Sequence, residues 1–390
     1  MTQLTRHDNG SGVFAEVRLD DIVHTGPGTL AGRYMRSFWQ PVFLSRQLKD
    51  GHAVPVRVMN EDFTLYRGET GTPHVVAFRC AHRGTQLSTG WVEGDCIRCF
   101  YHGWKYDGSG QCVEQPAEDA DFAAKVRIRS YPTEEYLGLI FAYLGEGDAP
   151  PLPRYPEFEQ PGVVNVTTYG RACNFFNNVE NALDPVHTAF VHRTGVFTDN
   201  GLINLPQISG EESAWGITMH GLRPNGIVRV NQFGMPNVLH IKIVSEFPDA
   251  GWLDALAWRV PIDDEQHGSF NVNLSHVSGE PAERYRRYLA EREAAPATDD
   301  ELAAISEAVM NGETHVDDFK GRPDLVGIQD YVAQVGQGAI ADRDGERLGR
   351  SDVMLILLRK IWLRELRALA DGRPLKTWTK PPELTATAGV

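Results

Sequence analysis

The chain has 390 residues, 42% of them hydrophobic and 23% charged, and carries a formal net charge of -14 at pH 7. Its length exceeds the roughly 100–200 residues usual for one domain and allows a sizeable core. The composition is that of a soluble globular protein, and the acidic balance argues against a nucleic-acid partner.

The opening MTQLTRHDNG is polar. The longest apolar run, LGLIFAYLG, falls far short of the roughly 20 residues a membrane span needs, so no secretion signal, anchor or membrane partner is expected. Five cysteines are an odd, sparse set for this length; they argue against a secreted disulfide framework and for a reducing cytoplasm.

GPGTLAG (Gly26 to Gly32) has its third glycine one position too far for a dinucleotide fingerprint and no strand before it. TLAGRYMRSFWQPV predicts a short helix stopped by Pro41. From there the period changes. AVPVRVM, FTLYRG, HVVAFRC, KVRIRSY and LGLIFAYLG are short alternating or apolar runs between Gly, Asp and Pro, which predicts an all-β unit over 38–150.

EGDAPPLPRYPEFEQPG, with five prolines, marks a boundary near 146–162. Beyond it NFFNNVENALDPVHTAFVH has helical spacing, and GITMHGL, VLHIKIVSEF, LAWRVPI and SFNVNLSHV read as strands, so 151–390 is expected to be α+β. TDDELAAISEAVMNG predicts a helix capped by Thr298 and ended by Gly312. SDVMLILLRKIWLRELRALADG predicts another, capped by Ser351, with Met354, Leu357, Leu358, Ile361, Trp362 and Leu366 on one core-facing stripe. No Walker lysine, G-x-S-x-G elbow or H-E-x-x-H appears.

Three of the cysteines and two histidines fall within the 25 residues from Cys80 to Trp104. Cys80 and His82 form C-x-H, and after sixteen intervening residues Cys99 and His102 form C-x-x-H. Two thiolates and two imidazoles suit tetrahedral zinc, and Cys96 even offers a C-x-x-C with Cys99. The same inventory suits a two-iron Rieske [2Fe-2S] centre, with two Cys on one iron and two His on the other. Zinc fingers generally pair like with like, whereas each loop here contributes one of each, which favours the two-iron centre. Gly84 and Gly103 permit tight turns beside it, and Trp104 and Tyr101 either cover it or simply pack.

NNVENALDPVHTAFVH holds a second candidate site. His187 and His192 are five apart, about 140° on an ideal helix, so a regular helix would not aim both at one ion. Pro185 is expected to kink or break the helix near 181–185 and let the rings converge. Two imidazoles and one carboxylate make the facial triad of non-haem Fe(II) oxygenases; ordinary core or surface histidines are the plain alternative. The carboxylate lies far along the chain, where no spacing rule finds it.

CAHRG and CFYHGWKYDGSG resemble the two cluster-binding loops of Rieske proteins, and Glu180, Asn181, Asp184, His187 and His192 resemble the iron segment of Rieske non-haem iron oxygenases. QDYVAQVGQGAIADRDGERLGRSDVMLILLRK, WRVPIDDE and TGPGTLAGRYMRSFWQPV resemble the phthalate-dioxygenase-like branch of their alpha (terminal oxygenase) components.

The resemblance implies an all-β Rieske domain (38–150) followed by a helix-grip, START-like catalytic domain (151–390), with 1–37 as an extension packed on it. It implies Cys80, His82, Cys99 and His102 as cluster ligands, with Cys96, Cys112 and Cys173 left out. It implies His187, His192 and Asp330 as ligands of a mononuclear Fe(II), with Asp324 and Asp352 as fallbacks for the carboxylate. Asp184 would bridge the two centres across subunits, and Asn181 would line the site.

It further implies O2 as co-substrate, a flavin and iron-sulfur reductase or a reductase plus ferredoxin as electron donor, a small aromatic or carboxylated substrate, and a homotrimer or hexamer. Dihydroxylation, hydroxylation and O- or N-demethylation all remain open. A cluster-bearing electron-transfer or ligand-binding protein without oxygenase activity is the rival reading. Arg223, Arg229 and His240, in the expected sheet, can pair a substrate carboxylate; solvated surface charge is the ordinary alternative for each.

Overall fold

The computed structural model describes residues 16–194, 196–294, 299–384 and 387–389. The opening decapeptide and Thr298 lie outside the described residues.

The first strands build three small antiparallel sheets. Ala53–Val58, Glu61–Arg67, Pro73–Ala77 and Ser130–Tyr131 form one, and Trp91–Glu93, Cys96–Arg98, Lys105–Asp107 and Cys112–Glu114 form a second. Trp39–Leu44, Leu139–Tyr143 and Thr133–Tyr136 form the third, whose apolar face joins the core of the second half: Phe141 meets Trp258 edge-on at 5.6 Å.

The second half is organised by one antiparallel sheet. Its path runs Val163–Arg171, His267–Ser275, Trp252–Pro261, Val238–Val244, Val228–Gly234, Gly216–Leu222 and Gln207–Glu212. The helices Phe175–Asn181 and Val353–Ala370 contribute to the same core. Of the expected stripe on the latter, Met354, Leu358, Ile361, Trp362 and Leu366 are buried and Leu357 packs against them half-buried. At about 1.5–3 kcal/mol for each large apolar side chain removed from water, that stripe alone accounts for the helix docking.

The N-terminal segment joins this core through the helix Leu30–Arg36. Tyr34 packs edge-on against Trp362 at 5.1 Å and accepts a hydrogen bond from Trp378 Nε1 at 2.9 Å. The helix Thr29 begins, by accepting the Gly32 N–H, ends at Arg36 rather than at Pro41. Pro41 instead lies inside a strand, beside a register shift between Pro41 and Phe43, where its missing N–H is tolerated.

The hairpin turn Met59–Asn60, both residues at positive φ (51° and 62°), reaches the large sheet: Met59 N–H donates to Pro261 O at 2.8 Å and Asn60 N–H to Ile262 O at 3.0 Å. The proline-rich 146–162 segment holds only a short 3-10 turn, Pro156–Phe158, yet Leu152, Tyr155 and Phe158 are buried in the common core.

Two further expectations change. In KVRIRSY only Ser130–Tyr131 is strand; Val126 and Ile128 are spent packing against Cys80, Cys99 and Trp104. Ser351 does not cap its helix: it lies within the 3-10 turn Arg350–Asp352, where Asp352 Oδ2 accepts the Gly349 N–H at 2.6 Å. Gly312, at φ +75°, follows the helix Asp299–Met310 as expected. Among the described residues no helix is long and apolar enough to cross a membrane.

Candidate metal centres

The loops bearing Cys80 and Cys99 are two copies of one backbone design. In the first, Cys80 N–H donates to Thr85 O and Gly84 N–H returns to Cys80 O; in the second, Cys99 N–H donates to Trp104 O and Gly103 N–H returns to Cys99 O, all at 2.8–3.1 Å. Each loop turns on a glycine at positive φ, Gly84 at 76° and Gly103 at 73°.

The two cysteines are buried, at 3% and 2% exposure, and Tyr106 Oη lies 3.2 Å from Cys80 Sγ. The two imidazoles are exposed and face each other, ring centroids 4.5 Å apart. Trp104 stacks on His82 at 4.5 Å, while Tyr101, 54% exposed, leans on His102 from outside. Thiols inside and imidazoles outside are the arrangement a two-iron rhombus needs, with its histidine iron at the surface. Cys96, half-buried, sits in the strand Cys96–Arg98; Cys112 and Cys173 are buried, and all five thiols are free.

The second centre is made by a broken helix. Asn174 caps Phe175–Asn181 by accepting the Phe176 N–H at 3.0 Å. The helix stops at Asn181, and after Pro185 a single turn, His187–Phe190, resumes. Asp184 Oδ1 starts that turn by accepting the Val186 N–H at 2.9 Å. The break lets the two rings meet, 5.3 Å between centroids.

The helix Leu325–Val335 delivers Asp330, and one ligand atom each from His187, His192 and Asp330 lie within 4.8 Å of one another. Asp324 and Asp352 are elsewhere: the first pairs with Arg322 at 2.8 Å and the second serves its turn.

These three side chains fit a metal. His187 donates its Nδ1–H to the main-chain oxygen of Asp184, and His192 donates its own to Gln329 Oε1 at 2.9 Å, which leaves both Nε2 lone pairs free. Asp330 Oδ1 is buried without a hydrogen-bond partner among the described residues, 3.2 Å from His192 Nε2. The Arg171 guanidinium, 3.7 Å away, favours the ionised carboxylate. Two neutral imidazoles and one carboxylate are a set suited to Fe(II).

Gln329, Arg171 and Phe197, which stacks on His192 at 4.7 Å, escaped the sequence reading. Asn181 ends its helix half-buried, and its main-chain oxygen takes the Asp184 N–H at 3.1 Å. The Asp184 carboxylate, 32% exposed, stands 3.9 Å from His187 Nδ1. Glu180 of the same motif is an ion-pair residue, between Arg359 at 2.5 Å and Arg343 at 2.8 Å. Arg223, Arg229 and His240 are buried, so none is solvated surface charge.

Fold and donors together define an iron oxygenase with a Rieske domain. The Rieske [2Fe-2S] domain family matches residues 38–132. The chain is 30% identical over 386 residues, 94% of itself and 83% of its relative, to the 5,5'-dehydrodivanillate O-demethylase oxygenase subunit of Sphingobium sp.. It is 32% identical over 383 residues, 91% of itself and 78% of its relative, to the tert-butanol monooxygenase / tert-amyl alcohol desaturase oxygenase subunit of Aquincola tertiaricarbonis. Its fold is similar to Pseudomonas putida CBB5 NdmA with caffeine, with a TM-score of 0.67, 21% identity and coverage of 87% of this chain and 93% of that one.

The chain belongs to the Rieske non-haem iron oxygenases, as an alpha subunit of the phthalate-dioxygenase and demethylase-like kind. It is an O2-using oxidoreductase. Zinc in the first centre and a protein carrying the cluster alone are thereby both set aside.

Proposed function

We propose that the protein is a terminal oxygenase that draws electrons from a separate flavin and iron-sulfur reductase, or a reductase plus ferredoxin, to oxidise a small organic substrate beside a mononuclear iron. Cys80, His82, Cys99 and His102 would hold the cluster within a 38–150 unit, and His187, His192 and Asp330 the iron within a 151–390 unit. When bound, these metals supply one-electron transfer and O2 activation. The convergence of two free Nε2 atoms on an unpartnered buried carboxylate is the observation that carries this reading.

The chain's own groups do the positioning. Gln329 and the Asp184 carbonyl fix each imidazole tautomer, and Phe197 holds the His192 ring plane. Asp184 keeps a partly exposed carboxylate beside His187, while His82 and His102 are themselves exposed. That pairing of surfaces supports transfer from the cluster of one copy through Asp184 of the next, in a homotrimer or a doubled trimer.

The relatives' names span aromatic O-demethylation and alcohol oxidation, so the reaction type is to be read from products. The test is a reductase-coupled assay over benzoates, methoxy-aromatics, N-methyl compounds and tertiary alcohols, following O2 uptake and product mass. Metal analysis should give about three irons and two acid-labile sulfides per chain. Protein with two irons and no substrate-dependent O2 uptake across the panel would refute the proposal.

A further inference from the structure

Asp330 presents its two oxygens to different partners. Oδ1, buried and without a hydrogen-bond partner among the described residues, stands 3.2 Å from His192 Nε2, whereas Oδ2 stands 3.7 Å from Arg171 Nη2. One oxygen faces an imidazole lone pair and the other faces a guanidinium.

Arg171 is committed to that carboxylate. It is 6% exposed; among the described residues Asp330 is its one ion-pair partner, and its Nη1 is buried without a hydrogen-bond partner. A guanidinium keeps its proton under burial, so the charge is permanent and Oδ2 is the anionic atom set against it.

The aim of the side chain is fixed by its surroundings. Arg171 ends the strand Val163–Arg171, paired with His267, and His267 donates its Nδ1–H to Cys173 O at 2.7 Å. Asn174 then anchors the entry to the next helix, its amide donating to Val23 O at 2.8 Å and Asp264 O at 2.6 Å. The guanidinium lies 4.7 Å from the centroid of the Tyr169 ring, close enough for the ring to attract a cation. A strand end and an aromatic seat together hold it on Asp330.

A carboxylate can give a metal one oxygen or both. A two-oxygen grip fills a further coordination position, and the set of two imidazoles and one carboxylate works through the positions it leaves open. Resting on the oxygenase reading above, we propose that Arg171 is a positioning residue: by holding Oδ2 it restricts Asp330 to Oδ1 as its single donor atom and keeps one more position at the iron free for an exogenous ligand.

The test is titration of the iron-loaded holoenzyme with nitric oxide, cluster oxidised and oxygen excluded, followed by the EPR signal of the nitrosyl adduct, beside chelator competition for the iron. Arg171→Met releases Oδ2. Iron should then be held at least as tightly as in the wild type, because a second donor oxygen is gained and a positive charge near the metal is lost. Nitric oxide should bind about tenfold or more weakly, with an altered EPR line shape. Arg171→Lys keeps the cation and should recover most of the nitric oxide affinity. Tyr169→Leu removes the seat and spares the charge, and should fall between the wild type and Arg171→Met.

An arginine that serves only the fold gives the opposite pattern, with iron lost from Arg171→Met and nitric oxide affinity per bound iron unchanged. That pattern, or nitric oxide bound as tightly as in the wild type or more so, would overturn the proposal. Arg171→Gln, also neutral, carries the same expectation and the same refutation where the methionine variant does not fold. Wild-type protein that takes up no iron beyond the two of its cluster defeats the oxygenase reading, and this proposal with it. A loaded wild type whose variants all bind nitric oxide alike defeats only the role of Arg171.

Discussion

Gln329 Oε1 accepts the Nδ1–H of His192 at 2.9 Å, and the next residue, Asp330, brings Oδ1 to within 3.2 Å of the ring's other nitrogen. One turn of one helix thus both orients an imidazole and sets a carboxylate beside its free lone pair. Gln329→Leu removes the orienting acceptor and leaves a buried N–H unpaired. Iron affinity should fall by about 10–100-fold with the cluster spectrum intact, measured by chelator competition; unchanged affinity would mean that packing alone orients the ring.

Asp330→Asn should take iron content from about three to about two per chain and abolish turnover, while the visible spectrum of the cluster survives. Full iron occupancy in that variant would remove Asp330 from the ligand set.

Glu180 shares the iron motif but is locked between Arg343 and Arg359. Glu180→Gln leaves two buried guanidiniums short of a charge and should cost about 3–5 kcal/mol of stability. In refolded, iron-loaded protein the per-iron turnover should be near wild type. A specific loss of turnover at unchanged stability would contradict the structural role.

Gly84→Ala meets nothing within 4 Å, so its cost is the backbone at φ +76°, about 1–2 kcal/mol. Gly84→Asn, which accepts that conformation more readily, should lose less. Gly103→Ala adds a contact at 3.1 Å from Pro116 and should release the cluster fastest of the three. Rates of bleaching in chelator give the order.

His267 is fully buried; burial, opposed by its bond to Cys173 O and aided by Arg171 and Arg259, pushes its pKa down to about 3. In the unfolded chain it would titrate near 6.5. Between those values the unfolded state binds the extra proton, so stability should fall as pH drops below about 6.5, by up to about 1.4 kcal/mol per unit from this group. It should be fully present above that pH. Denaturant midpoints of wild type and His267→Gln between pH 4 and 8 should converge as the solution becomes more acidic.

What could be read from the sequence was what the backbone settles locally. C-x-H and C-x-x-H lie on tight loops whose glycines and spacing fix the geometry, and Pro185 announces the break that brings His187 to His192. Asp330 was reached only through family likeness, because its partners come from far along the chain; Gln329 is 137 residues from His192. Phe197 and Arg171 meet the site through tertiary packing, which leaves no periodic trace. Arg223 and Arg229 were weighed against solvated charge because long charged side chains are ordinarily exposed. KVRIRSY shows the converse, since apolar alternation can serve packing under a loop without a strand.

The Met59–Asn60 turn ties the cluster-bearing half to the large sheet by two main-chain bonds, with Met59 wholly buried. Heating should therefore melt both halves in a single cooperative step, with bleaching and iron release superimposed on one curve. A fragment cut at residue 150 would expose Phe141 and its neighbours to water and aggregate, so neither half should persist as a folded body without the other.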